Sequence, residues 1–158
     1  MKIQRKPPQF SLEKLYASPF TYERKYRPDG SIYWEKLTDQ NPATGIDALD
    51  DFLRYLRSDY RTVKGIASLI GVTAPELNAF VKILTGQNAS EFIRLYLVHQ
   101  AQLMLKYTDL TVDEIAQHCS FSSNSNLTQS FIPVVGVSPK IYRYQHQGPL
   151  DRGRFRIK

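Results

Sequence analysis

At 158 residues, with 42% hydrophobic and 23% charged side chains, the chain has the make-up of a soluble globular protein: one compact core, or one small domain plus an appendage. No segment approaches the roughly 20 uninterrupted apolar residues that span a bilayer, and the opening MKIQRKPPQF carries charge with no apolar run behind it, so neither a membrane span nor a secretory signal is expected. The formal charge of +6 suits a protein that meets a polyanion, and the single cysteine, Cys119, rules out an intrachain disulfide and fits a reducing cytoplasm.

The excess charge sits at the ends. Residues 1–45 hold eight Lys/Arg against five Asp/Glu, residues 46–147 nine of each, and residues 148–158 four against Asp151 alone. The expected organisation is an N-terminal extension (1–45), a neutral helical domain (46–147) and a basic tail (148–158). Within the extension, Phe20–Arg27 and Ser31–Leu37 are strand-like runs around Pro28-Asp29-Gly30, where proline presets φ and glycine accepts φ > 0. A β-hairpin over 20–37 would put Phe20, Tyr22, Ile32 and Trp34 on one aromatic face. An isolated hairpin is marginal in water, so that face should pack on the helical domain or on a partner. DQNPATG (39–45) reads as a linker.

From Ile46 the period becomes helical. Ile46, Leu49, Phe52, Leu53 and Leu56 form an amphipathic stripe. A pattern then occurs twice, at 62–84 and 111–133, the copies 49 residues apart (111 − 62). Each opens Thr-Val, carries Ile-Ala three residues later, turns tightly, and continues into a second helix. Thr73 and Ser122 are the expected caps of these second helices. Leu77, Phe80, Val81 and Leu84 in one, and Leu127 and Phe131 in the other, are core candidates. Pro133 should end or kink the second. Between the copies, about Ser90 to Tyr107, a helix apolar on most faces should be buried between two packing partners. Cys119 falls on the apolar side of its helix and is expected to be a buried, inert thiol. Ser138-Pro139 has the form of an N-cap followed by proline at the first helical position.

Helix-turn-helix units place their second helix in a DNA major groove, so a tandem pair suggests a two-groove reader. Residues 46–144 resemble the AraC/XylS-type DNA-binding domain. The match is most specific in IAQHCSFSSNSNLTQSFIPVVGVSPKIYR, carried by Ile115, Ala116, Phe121, Ser122, Ser125, Leu127, Phe131, Gly136, Ser138, Pro139, Tyr142 and Arg143. The resemblance implies an all-α fold of two helix-turn-helix subdomains joined by a long linker helix. It further implies a transcription regulator that sets two recognition helices, about 73–84 and 122–132, in adjacent major grooves of double-stranded DNA. The chain departs from the family pattern at Ser120, where glycine is usual. It also departs at Pro75, Ala79, Leu97, Gln129 and Ile132, where large or basic residues are frequent.

On this reading Asn78, Asn124, Ser125 and Gln129 reach base edges, since Asn and Gln pair bidentately with adenine. Thr73, Lys82, Ser122, Ser123, Thr128, Lys140 and Arg143 contact phosphates through hydroxyls, helix N-termini and charge. The same polar residues could simply solvate exposed helix faces. Lys2, Arg5 and Lys6, or Arg152, Arg154 and Arg156, could serve as basic arms in a minor groove or along phosphates. Truncating the arms should then flatten the salt dependence of DNA binding. Regulation would come from the protein's abundance, from a protein partner bound by the hairpin, or from contact with RNA polymerase. The rival reading is a protein-interaction module on the same scaffold that has lost most DNA affinity. No metal site, cofactor motif or catalytic nucleophile is legible: His99, His118 and His146 have no i,i+4 relation and no cysteine cluster.

Overall fold

The computed structural model describes residues 8–38, 43–58 and 61–157. In chain order they form α1 (Leu12–Leu15), β1 (Phe20–Tyr26), β2 (Ile32–Lys36), α2 (Asp47–Arg57), α3 (Val63–Ile70), α4 (Ala74–Thr85), α5 (Ala89–Tyr107), α6 (Val112–His118), α7 (Asn124–Val135), α8 (Pro139–His146) and β3 (Phe155–Ile157). The chain divides into two compact units, Met1–Ala17 with Pro42–Tyr96, and Ser18–Asn41 with Leu97–Lys158. These bounds differ from the expected breaks at 45 and 147, because the hairpin and the C-terminal segment belong with the second helical half. The expected linker lies mostly at 39–42, and the N-terminal basic arm at 1–7; both are outside the described residues.

In the first unit α2 buries Leu49, Phe52, Leu53 and Leu56, the predicted stripe, with Ile46 as its N-cap. Thr62 caps α3 by accepting from the Gly65 N–H at 3.1 Å, and Gly71 ends it at φ +90°, a backbone state that glycine enters without steric penalty. Thr73 caps α4, accepting from the Glu76 N–H. Leu77, Val81 and Leu84 are buried, and Phe80 is half-buried. Tyr16, Tyr96, Phe92 and Phe52 form a run of ring contacts through this core. The short helix α1, which carries no periodic signal long enough to read from sequence, is tied down by Arg57, whose Nη2 donates to the Leu15 carbonyl at 2.6 Å.

The second unit repeats the motif with one residue inserted. Up to the turn the offset is 49: Thr111 caps α6 as Thr62 caps α3, and the Phe121 N–H reaches the Ala116 carbonyl as that of Val72 reaches Ala67, both at 2.9 Å. From the cap of the second helix the offset is 50: Leu127 and Phe131 (77 + 50, 81 + 50) occupy the buried places of Leu77 and Val81. The cap is therefore Ser123, which accepts from the Asn126 N–H at 3.1 Å, and not Ser122 as the shared spacing predicts. Helix α7 also runs through Pro133 to Val135 and ends on Gly136 at φ +95°, where the sequence predicts an earlier stop or a kink. Proline removes one donor, to the Gln129 carbonyl, and Pro133 is exposed, so water can satisfy that acceptor while Leu127 and Phe131 hold the helix to the core. Cys119 is fully buried, as expected.

The sheet has the order β2-β1-β3, antiparallel throughout. The predicted hairpin is present, and its third strand comes from the segment expected to be a free basic tail. An irregularity between Phe20 and Tyr22 in the β1–β3 pairing breaks the period-2 alternation. Phe20 consequently leaves the face of Tyr22, stacks on Phe155 at 4.8 Å and meets Tyr107 of α5 edge-on at 6.3 Å. The expected single face of Phe20, Tyr22, Ile32 and Trp34 is thus divided. Phe20 turns inward, while Tyr22, Arg24, Tyr26, Ile32, Trp34, Lys36 and Arg156 share the outward side by cross-strand register.

Candidate nucleic-acid interface

Helix α7 contains no ionisable side chain. Its inward stripe is apolar, and Asn124, Ser125, Asn126 and Gln129 stand exposed on its outer surface. Thr128 is half-buried and bends back along its own helix, donating to the Asn124 carbonyl at 2.9 Å. Ser122 accepts from the Asn126 side-chain amide, and Ser123 is the cap, so both hydroxyls hold the turn that aims the first exposed residues. Asn126 escapes the sequence reading because the predicted helix start is one residue early. The signal that recovers it is the Ser-x-x-Asn spacing from Ser123.

Helix α4 presents less. Pro75, Ala79 and Lys82 are exposed. Asn78, at the position corresponding to Thr128, is half-buried, and its Oδ1 accepts from the Ser90 N–H at 3.2 Å, fastening the start of α5. Thr73 both accepts from the Glu76 N–H and donates to its carboxylate at 3.0 Å, which ties the cap to the first turn of α4.

Of the expected phosphate contacts on α8, Lys140 is exposed and Arg143 is engaged within the fold. Arg143 is half-buried, donating from Nε to the Leu105 carbonyl at 2.9 Å and from Nη2 toward those of Met104 and Thr108. Gln147 adds donors to Leu105, Lys106 and Thr108 at 3.1–3.2 Å. Together they close the C-terminal carbonyls of α5, which a helix otherwise leaves unsatisfied and negative. Burial, helped by the nearby charge of Arg152, lowers the Arg143 pKa from its ordinary value, with Asp109 opposing. Two basic residues of the expected tail are likewise engaged, Arg154 pairing with Glu23 at 2.9 Å and Arg156 lying 3.7 Å over the Trp34 ring, while Arg152 is exposed.

Two capped helix pairs, each with a second helix that exposes polar or small residues in its first two turns, define a tandem helix-turn-helix protein. The helix-turn-helix domain family matches residues 66–145. The chain belongs to that family, in its AraC-type branch. It is 33% identical over 61 residues to the HTH-type transcriptional activator RhaR of Cronobacter sakazakii, covering 39% of this chain and 22% of that one. It is 30% identical over 86 residues to the HTH-type transcriptional activator AarP of Providencia stuartii, covering 54% and 64% respectively. The chain thus spans less than two thirds of either relative. Among solved structures it is similar to the DNA-binding domain of the global transcriptional factor AdpA in complex with a target DNA, with a TM-score of 0.56, 27% identity, and coverage of 63% of this chain and 88% of that one. No single helix among the described residues is long and apolar enough to cross a membrane.

Proposed function

We propose that the protein is a sequence-specific, duplex-DNA-binding transcription regulator acting in the cytoplasm, with α4 and α7 entering adjacent major grooves. The observation that carries this reading is the outer surface of α7: an uncharged helix, capped by Ser123, that exposes Asn124, Ser125 and Gln129 together. Amide side chains so placed pair with adenine edges, and the capped N-terminus suits a phosphate oxygen. On α4 the exposed Ala79 fits a thymine methyl group and Lys82 a phosphate, while Asn78 positions the helix from behind. Lys140 adds a further phosphate contact. The reading assigns no catalytic step, metal or cofactor.

Selection of bound sequences from a random duplex pool tests this. A recovered consensus whose enrichment falls in Asn124→Ala and Gln129→Ala variants supports the reader. Binding that is sequence-blind and indifferent to those changes overturns it in favour of the interaction module, a reading motivated by the neutral stretch 46–147 and by Ile83, 78% exposed on α4. Control by RNA polymerase or another protein through the hairpin belongs to the same proposal.

A further inference from the structure

We propose that the outward side of the β2-β1-β3 sheet docks an acidic polypeptide segment, with carboxylates at its Lys36–Arg156 end and an apolar side chain at its Tyr26–Ile32 end. The inference goes beyond the DNA reading and does not depend on it.

Cross-strand register orders this surface from one end to the other. Tyr22 stands between Lys36 and Arg156, Arg24 is opposite Trp34, and Tyr26 is opposite Ile32. Four residues of strand, Tyr22 to Tyr26, separate the basic end from the apolar end by about 13 Å. Tyr26 and Ile32 are each 52% exposed, so large apolar groups lie open on this strand pair. The charge is one-sided. Both glutamates of the sheet, Glu23 and Glu35, alternate to the opposite side, where Lys25 reaches both and Arg154 holds Glu23. Among the described residues of the sheet, the outward side carries cations and no carboxylate.

The cations distinguish between possible occupants. Single-stranded nucleic acid binds such surfaces by stacking bases on ring faces. Here the guanidinium of Arg156 already covers Trp34 at 3.7 Å, and that of Arg24 approaches Tyr26 at 5.6 Å. Arg24 already donates to the Leu150 and Arg152 carbonyls, whereas a guanidinium lying over a ring, as that of Arg156 does, still offers its edge donors to a carboxylate. A second copy of this chain would oppose like charge to like charge. An acidic segment meets the donors and covers Tyr26 and Ile32 at the same time.

The test uses the full chain and a displayed library of random twelve-residue peptides, followed by titration of the selected peptides. Trp34 is the only tryptophan, so its emission reports on this surface directly. Selected peptides are expected to carry Asp or Glu at one end with Leu, Ile or Phe some residues on, to shift Trp34 emission, and to bind more weakly as salt rises. Affinity should fall about tenfold in the Lys36→Ala/Arg156→Ala double variant, whose fold is checked by its thermal unfolding. Should that variant not fold, Tyr26→Ser/Ile32→Ser and the salt series on the unaltered chain give the same discrimination. Peptides without acidic residues, binding that leaves Trp34 emission unmoved, tighter binding of a dT12 oligonucleotide, or self-association abolished by the charge substitutions would each overturn the proposal. Loss of peptide binding with duplex selection intact would mark the failure as this inference's alone.

Discussion

Gly71 and Ser120 hold equivalent places in the two helix-turn-helix repeats, 49 residues apart (120 − 71), and both stand in the left-handed region, at φ +90° and +59°. Ser120 is the only non-glycine residue with positive φ among those described. A side chain there costs about 1 kcal/mol relative to glycine, partly offset by glycine's greater freedom when unfolded. Ser120→Gly should therefore raise stability by about 0.5 kcal/mol, and Gly71→Ser should lower it by about 1 kcal/mol. Urea unfolding midpoints would check both; a loss of stability in Ser120→Gly would show that the serine side chain contributes more than its backbone strain costs.

Arg143 and Gln147 close the end of α5, so their replacement is expected to act on stability and not on phosphate recognition. Arg143→Ala should destabilise by about 2 kcal/mol, the scale of charge-assisted bonds from a half-buried group. The slope of log affinity against log salt for duplex DNA should stay unchanged, whereas loss of a phosphate contact would reduce it by about 1. Calorimetric unfolding and a salt titration measure the two effects separately.

Gln129 and Asn78 are chemically alike and structurally opposite. Gln129→Ala should cost about 1–3 kcal/mol of discrimination at one base pair of a selected duplex, with unfolding unaffected. Asn78→Ala should lower stability by about 1 kcal/mol through loss of its bond to Ser90 and leave base preference alone. The reverse pattern would transfer base reading from α7 to α4.

Phe155 seals the inward side of the sheet with Phe20 and Tyr107. It is half-buried, so Phe155→Ala should cost about 2–3 kcal/mol, below the range for a fully buried ring. Amide hydrogen exchange along β1 should accelerate in parallel. Truncating the chain before β3 would act through the same loss of packing, which makes it unsuitable for probing a basic arm. Unaltered β1 protection in the Phe155→Ala variant would count against the sheet's dependence on the C-terminal strand.

Asp29 accepts from the Ser31 hydroxyl at 2.7 Å and its N–H at 2.9 Å, and these bonds, the hydroxyl's first, lower its pKa below the ordinary 3.8. A carboxyl whose folded pKa is depressed contributes stability above its unfolded value and loses it as pH falls through the folded value. The hairpin turn should accordingly weaken only below pH 3.8. An NMR titration should find Asp29 below 3.8 and returning toward that value in Ser31→Ala; an unshifted Asp29 in the unaltered chain would refute the coupling.

The tandem helices were legible from residue order because their signals are local. Thr62, Thr73, Thr111 and Ser138 cap helices within three residues of themselves, Gly71 ends a helix in place, and the apolar stripes repeat at helical spacing. Pro28-Asp29-Gly30 marks the hairpin in the same way. The inserted residue that moves the α7 cap to Ser123 is harder to see, since Ser122 and Ser123 are both competent caps and the choice rests on how Leu127 and Phe131 seat in the core. Three assignments needed contacts between residues far apart in sequence. Strand β3 pairs with β1 across more than a hundred residues (155 − 23); Arg143 and Asn78 turn from exposed-looking polar residues into fasteners of α5; and the bulge beside Phe20 divides the aromatic face. Hydrogen-bond acceptors left open at a helix end, or an edge strand in want of a partner, can be satisfied from anywhere in the chain, and no local period records which donor arrives.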